Sequence, residues 1–99
     1  MPLEIALRKR LRARAHTLKP VIQVGDAGLS EALLAEARRA IDHHELIKVK
    51  LPALERGARD DMARVLCEAL DAEQVQAIGR VRVLYRAREE DAGRSRGQR

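Results

Sequence analysis

Cysteine and aromatic residues are almost absent from this chain of 99 residues. It contains one cysteine, Cys67, and one aromatic side chain of the Phe, Tyr and Trp type, Tyr85. A single thiol cannot form an internal disulfide, which excludes a disulfide-stabilised scaffold and fits a reducing compartment. The core must be built from Leu, Val, Ile and Ala, and the shortage of rings argues against nucleic-acid binding by base stacking.

Long apolar runs are also missing. No stretch approaches the length of a membrane span, and the basic N-terminus lacks the apolar core of a signal peptide. We therefore expect a cytoplasmic protein without a membrane partner. The length allows one domain, and a hydrophobic content of 45% is enough for one modest core.

Charge, in contrast, is abundant and unevenly placed. The chain carries 20 Lys and Arg against 15 Asp and Glu, for a net charge of +5. Residues 1–19 have a net charge of +5 and residues 80–99 of +4, whereas residues 51–79 have −3. Two basic ends favour a polyanionic partner, although many proteins without such a partner are mildly basic too.

The hydrophobic pattern predicts an α/β fold in the order αβαβαββ, with three helices and a mixed four-stranded sheet. A helix connects the first two strands, so these should be parallel. From Ala87 onward the chain is charged and aperiodic, which predicts a folded domain over residues 1–86 and a disordered tail over 87–99. The predicted helices are 3–17, 31–42 and 60–71, and the predicted strands are 21–24, 45–51, 75–78 and 81–85, with a linker at 53–59.

Each predicted helix carries one apolar stripe, and the second strand alternates between two faces. That strand places Ile47, Val49 and Leu51 on one face and Leu46, Lys48 and Lys50 on the other. The two lysines either form a basic strip or simply solvate an open face of the sheet. The predicted helix stripes are Leu3, Leu7, Leu11, Ala15 and Leu18; Leu33, Leu34, Ala37, Ala40 and Ile41; and Met62, Val65, Leu66, Ala69 and Leu70.

The stretch with the clearest chemistry is the GxxG loop, residues Gly25, Asp26, Ala27 and Gly28, between the first strand and the second helix. Ser30 is a plausible N-cap of that helix. Backbone without side chains can approach a phosphate, and free N–H groups at a helix N-terminus attract anions. The alternative is a tight turn that needs glycine for a positive φ, and on spacing alone this alternative is preferred.

No set of side chains suggests catalysis. His43 and His44 are adjacent and diverge, and neither they nor His16 have a second ligand pair at a useful spacing, which disfavours a metal site. Cys67 has no base beside it in sequence and is expected to be a buried apolar residue. We therefore expect no enzymatic activity, no metal or other cofactor, and no small-molecule substrate.

Several motifs, in matching order and spacing, together resemble the CRM domain (chloroplast RNA splicing and ribosome maturation). The likeness spans about residues 3–86, and the chain is similar to free-standing bacterial members of the YhbY type. The motifs are residues 15–20 (AHTLKP), Gly25-x-x-Gly28-Leu29-Ser30-Glu31, residues 44–50 (HELIKVK), Gln76-x-Ile78-Gly79, and residues 83–86 (VLYR).

The resemblance implies an RNA-binding domain related in fold to the C-terminal domain of bacterial translation initiation factor three. It also implies rRNA of the large-subunit precursor as the partner, with binding at the GxxG loop, Lys19, Lys48 and Lys50. The basic side of helix one adds Arg8 and Arg12 as expected phosphate contacts. We expect a monomer.

The alternative function is a protein–protein adaptor that docks on a ribosomal protein through helix one or the acidic helix three.

One residue departs from what this function needs. Asp26 places a carboxylate in the GxxG loop, and a negative charge beside a phosphate is unfavourable. Either Asp26 points away from the phosphate, where it can also cap the local turn, or the loop contributes less to binding than one with polar or basic residues in its centre.

Overall fold

A computed structural model describes residues 3–87 and confirms the predicted order of elements. Ala87 lies in neither a helix nor a strand, and the rest of the predicted tail, residues 88–99, falls outside the described residues. Within residues 3–87, no helix is both long enough and apolar enough to cross a membrane. The elements are α1 (Ile5–Ala15), β1 (Pro20–Gln23), α2 (Glu31–His44), β2 (Leu46–Lys50), α3 (Arg56–Leu70), β3 (Glu73–Ile78) and β4 (Val81–Tyr85).

The four strands form one mixed sheet in the order β1-β2-β4-β3. Strands β1 and β2 are parallel, as predicted for two strands joined through a helix, and the other two pairs are antiparallel. The last two strands form the predicted hairpin, whose turn contains Gly79 at φ +57°. This order makes β1 and β3 the opposite edges of the sheet.

Helices cover both faces of the sheet, and the alternation along β2 determines which residues face which helix. Ile47 and Val49 belong to the larger core cluster, which includes residues of α2 and α3. Leu46 belongs to a smaller cluster with Leu11 and Ala15 of α1. The predicted division of β2 into two faces is therefore correct, and Lys48 and Lys50 lie on the side of the sheet that carries α1.

Helix three begins earlier than predicted. It starts at Arg56 and not at Asp60, so most of the predicted linker is helical. Gly57 lies in the predicted linker, but it occupies the first turn of α3, where the N–H groups need no partner within the helix. Asp60 therefore lies beyond the positive helix end, and its carboxylate pairs with Arg82 at 3.0 Å.

Two residues of the predicted helix stripes are exposed, and one buried helix residue was not predicted. Val65 is 42% exposed, whereas Ala63 is 2% exposed. The buried stripe of α3 follows residues 63, 66 and 70, and Val65 lies about 100° around the helix from Leu66. Leu18 is 37% exposed because α1 ends at Ala15 and leaves it in the connection to β1.

Candidate nucleic-acid interface

The GxxG loop is an exposed turn. The Gly28 N–H donates to the Gly25 carbonyl at 3.0 Å, and Gly28 has φ +70°. That backbone conformation strains any residue with a Cβ, so Gly28 is required by the turn itself. Gly25 has no positive φ, and no atom lies within 4 Å of the position that its Cβ would occupy. The space beside Gly25 is open to an incoming group.

Helix α2 starts directly after this turn. The Ser30 hydroxyl accepts a hydrogen bond from the Leu33 N–H at 3.2 Å, which confirms Ser30 as the N-cap. In the described part of the chain, the N–H groups of Asp26 and Ala27 have no hydrogen-bond partner. Together with the positive end of the helix dipole, they form a surface that suits an anion.

Asp26 does not cap the turn. Its side chain is exposed, and no hydrogen bond joins its carboxylate to another residue within 3–87. The capping role that would go with an Asp26 pointing away from the phosphate is therefore wrong, and the direction of the carboxylate relative to a bound phosphate stays a prediction. The carboxylate lies at the exposed tip of the loop.

Lys50 lies beside the GxxG loop. In the parallel pair it is opposite Gln23, and its carbonyl accepts from the Val24 N–H at 2.8 Å. The loop begins at the next residue, Gly25. The half-buried Lys50 has no ion pair with another residue of the described chain, so its charge is available to an external anion.

Lys48 and Lys19 lie at the other end of β1. Lys48 is opposite Pro20, and its ammonium donates to the Leu18 carbonyl at 2.9 Å. Lys19 is exposed in the same connection. A strand of four residues spans about 13 Å, so these cations and the GxxG loop mark the two ends of one edge strand.

Arg8 and Arg12 are not positioned alike. The Arg8 guanidinium donates to the carbonyls of Gln74 and Val75 at 2.8 and 3.1 Å, where β3 has an irregular register. Strand β3 is the edge farthest from β1, so the structure does not bring Arg8 to the GxxG loop. Arg12 is exposed in the last turn of α1, nearer to the connection with β1.

Two arginines near the loop end of the sheet were missed from the sequence. Strand β4 runs antiparallel to β2 and pairs Val81 with Lys50, which brings the Gly79–Arg80 turn to the end of β2. The Arg80 Nε donates to the Leu51 carbonyl at 2.8 Å, and Arg59 of α3 approaches the same turn. The sequence did show a basic residue, Arg80, inside a predicted hairpin turn. Which residues lie next to Arg80 depends on the order of the strands in the sheet, which the sequence pattern does not give.

The described residues offer no metal centre. Among residues 3–87, no group of three or more His, Cys, Asp and Glu side chains is placed to hold an ion. The His43 and His44 rings instead pack edge to face, with their centroids 4.6 Å apart.

An acidic groove lies between α3 and β3. Its cavity has a volume of about 620 Å³, and its wall includes Asp60, Glu68, Asp71 and Glu73. The buried Arg82 also contributes, with its guanidinium held by Asp60 at 3.0 Å and by Gln74 at 3.3 Å. One wall of this groove is α3, the acidic helix that the adaptor alternative names as one of its two docking surfaces.

Cys67 lines this groove, and we expect its thiol to react slowly. Burial, and after it the nearby Glu73 carboxylate, raise the pKa of Cys67 from 9.0 to about 11. Less thiolate at a given pH should slow alkylation by iodoacetamide at pH 8 at least about tenfold relative to the urea-unfolded chain. Equal rates in the two states would contradict the raised pKa.

The same shift has a consequence for stability. The thiol ionises more easily in the unfolded chain than in the folded one. The protonated Cys67 thiol should therefore make its full contribution to the free energy of unfolding below pH 9. This contribution should be lost as the pH rises through about 11. A Cys67→Ser variant is the control, because it lacks this titration.

Comparison with known proteins places these features in a family. Residues 3–86 match the sequence profile of the CRS1/YhbY (CRM) domain. An RNA-binding protein of Haemophilus influenzae is 44% identical over 80 residues, which cover 81% of each chain. A probable RNA-binding protein of Pseudomonas aeruginosa is 42% identical over 86 residues, which cover 87% of this chain and 83% of the relative.

A solved structure agrees with the fold. The solution structure of a hypothetical protein from Staphylococcus aureus, described as a candidate RNA-binding protein, superposes with a TM-score of 0.78 at 31% sequence identity. The match covers 91% of this chain and 94% of the other. On this evidence the chain belongs to the CRS1/YhbY (CRM) domain family.

Proposed function

We propose that this protein binds RNA by its phosphate backbone, at a surface formed by the GxxG loop and the start of α2 with Lys50 beside them. The observation that carries the proposal is the exposed turn, whose N–H groups at Asp26 and Ala27 lack partners within residues 3–87. Lys48 and Lys19 extend the surface along β1. Relatives named as RNA-binding proteins support the choice of RNA as the anion.

Recognition by charge and shape follows from the composition of the surface. Stacking platforms for bases need exposed aromatic rings. Tyr85, the one such ring in the chain, packs against the core cluster beneath α1. Backbone N–H groups and cations contact phosphates that every sequence shares, so binding should depend weakly on base identity.

The cellular setting follows from the family resemblance. It makes rRNA of the large-subunit precursor the proposed partner and ribosome assembly in the cytoplasm the proposed process. No catalytic step is proposed. Crosslinking the protein to RNA in cells and mapping the sites would test this part, and sites outside precursor rRNA would contradict it.

A salt titration tests the binding surface. We expect the affinity for unstructured oligouridine to fall with salt, with a logarithmic slope of about −0.7 for each phosphate contact. Lys50→Ala should flatten the slope by about 0.7, because one contact is lost. Lys48→Ala should flatten the slope less, because the Lys48 ammonium also donates a hydrogen bond to the Leu18 carbonyl.

Arg38→Gln is the matched control, because it removes one charge from an exposed position on α2. Its slope should equal that of the wild type. An RNA affinity that does not change with salt concentration would contradict the whole proposal. An unchanged salt slope in Lys50→Ala would show that Lys50 does not contact the RNA.

The acidic groove supports a second candidate function, docking of a basic segment from a ribosomal protein. Such binding would survive nuclease treatment, whereas binding through RNA would not. Co-sedimentation with ribosomal particles, before and after nuclease, therefore separates the two functions.

A further inference from the structure

Arg80 has two donor groups to spare beside the proposed RNA surface. Its Nε donates to the Leu51 carbonyl at 2.8 Å, and the Leu51 N–H donates to the Arg80 carbonyl at 2.7 Å. This pair of bonds fixes the Gly79–Arg80 turn to the end of β2. No residue within 3–87 hydrogen-bonds or ion-pairs with the two terminal amino groups of Arg80.

Arg59 reaches the same turn from α3. Its Nη1 lies 4.0 Å from the position that a Cβ on Gly79 would occupy. The Arg59 Nε is buried without a hydrogen-bond partner, and the structure shows no ion pair between Arg59 and another described residue. A buried N–H without an acceptor is costly. The terminal amino groups of the half-buried Arg59 have no hydrogen-bond or ion-pair partner within residues 3–87, so they are available to an external anion.

The turn and the GxxG loop share one end of the sheet. Gln23, Lys50 and Val81 are consecutive partners across β1, β2 and β4 at that end. The GxxG loop follows Gln23 after one residue, and Arg80 directly precedes Val81. No carboxylate within residues 3–87 forms an ion pair with either arginine, and Asp60, on the same helix as Arg59, pairs with Arg82.

We propose that Arg59 and Arg80 form a second phosphate-binding site at the β3–β4 turn. Its ligand is the phosphodiester backbone of the same RNA strand that the GxxG loop binds. Arginine suits this role, because its planar fork of donors matches phosphate oxygens. The RNA then crosses the end of the sheet from the edge strand β1 toward the hairpin. This inference rests on the proposed function for the nature of its ligand.

Anisotropy with labelled oligouridine tests the site on the full chain. The Arg59→Gln and Arg80→Gln double variant should bind at least about threefold more weakly, and its salt slope should flatten by at least about 0.7. The double variant Arg59→Lys with Arg80→Lys keeps both charges, so its salt slope should stay close to that of the wild type. Arg38→Gln with Arg39→Gln is the charge-matched control on α2 and should leave the slope unchanged.

Nuclear magnetic resonance on the wild type gives a readout that does not depend on variants. The Nε–H signals of Arg59 and Arg80 should be observable, since one is buried and the other is hydrogen-bonded. Both should shift when oligouridine is added, and inorganic phosphate should cause smaller shifts. The GxxG amides should shift with oligouridine as well.

The outcomes separate this inference from the proposed function. If the GxxG amides respond and the two arginine signals do not, the second site is wrong while RNA binding at the loop stands. If phosphate shifts the arginine signals and oligouridine binds nowhere, an anion site exists and the proposed function fails. If neither anion shifts Arg59 or Arg80, the inference is overturned whatever the variants do.

Discussion

Replacing Leu66 with Ala is expected to lower the free energy of unfolding by about 3–4 kcal/mol, which lies within the range of about 2–5 kcal/mol for truncation of a buried leucine. Leu66 is 0% exposed and lies in the larger core cluster with Ile47 and Leu84 of the sheet. Truncation would remove its apolar contacts and leave a cavity that the two layers cannot fill by a small shift. The total free energy of unfolding of a domain of this size is roughly 5–15 kcal/mol. The variant should therefore lose a large part of its stability.

Val65→Ala is the matched control on the same helix. Val65 is 42% exposed, so truncation should change the free energy of unfolding by less than about 0.5 kcal/mol. Ala also favours helix slightly more than Val does, which offsets part of the lost contact. Urea denaturation followed by circular dichroism measures both variants. Similar losses in the free energy of unfolding for Val65→Ala and Leu66→Ala would contradict the orientation of α3, in which Leu66 faces the core and Val65 faces solvent.

Reversing the charge of Asp26 is expected to tighten RNA binding about fivefold at moderate salt, because the charge beside a phosphate changes by two units, from −1 to +1. In the structure the Asp26 carboxylate is exposed at the loop tip and makes no hydrogen bond within residues 3–87. Asp26→Lys should therefore leave the turn intact. Ala27→Glu should act in the opposite direction and weaken binding.

Anisotropy titrations with oligouridine at several salt concentrations would measure these effects. Glu36→Lys is the matched control, because it makes the same two-unit change at an exposed position within α2. A general effect of net charge would improve binding equally in Asp26→Lys and Glu36→Lys. That result would contradict a local role for the GxxG loop, whereas a gain confined to position 26 is the expected outcome.

Local patterns were enough to predict much of this fold. The alternation from Leu46 to Leu51 predicted which residues face each layer, because side chains in a strand point to opposite sides in turn. Ser30 was identifiable as an N-cap because capping involves only neighbouring residues. The GxxG loop was likewise identifiable, since its neighbours in sequence, a strand and a helix start, are also its neighbours in space.

The start of α3 shows where local patterns fail. Gly57 and the preceding Pro52 resemble a linker, yet helix begins at Arg56. Packing of Ala63, Leu66 and Leu70 against the sheet stabilises the helix as a whole, and the first turn follows although it has no side-chain cap. Tertiary packing outweighs the weak preferences of individual residues.

By itself, the sequence determined the order of helices and strands, the two faces of β2, and the position of the GxxG loop between a strand and a helix start. Only the tertiary structure decided that Arg8 contacts the far edge of the sheet and that Arg80 lies at the end of β2. The reason is physical. Periodicity records which side a residue faces, but the order β1-β2-β4-β3 arises from pairing between distant segments, and that pairing decides which charges share a surface.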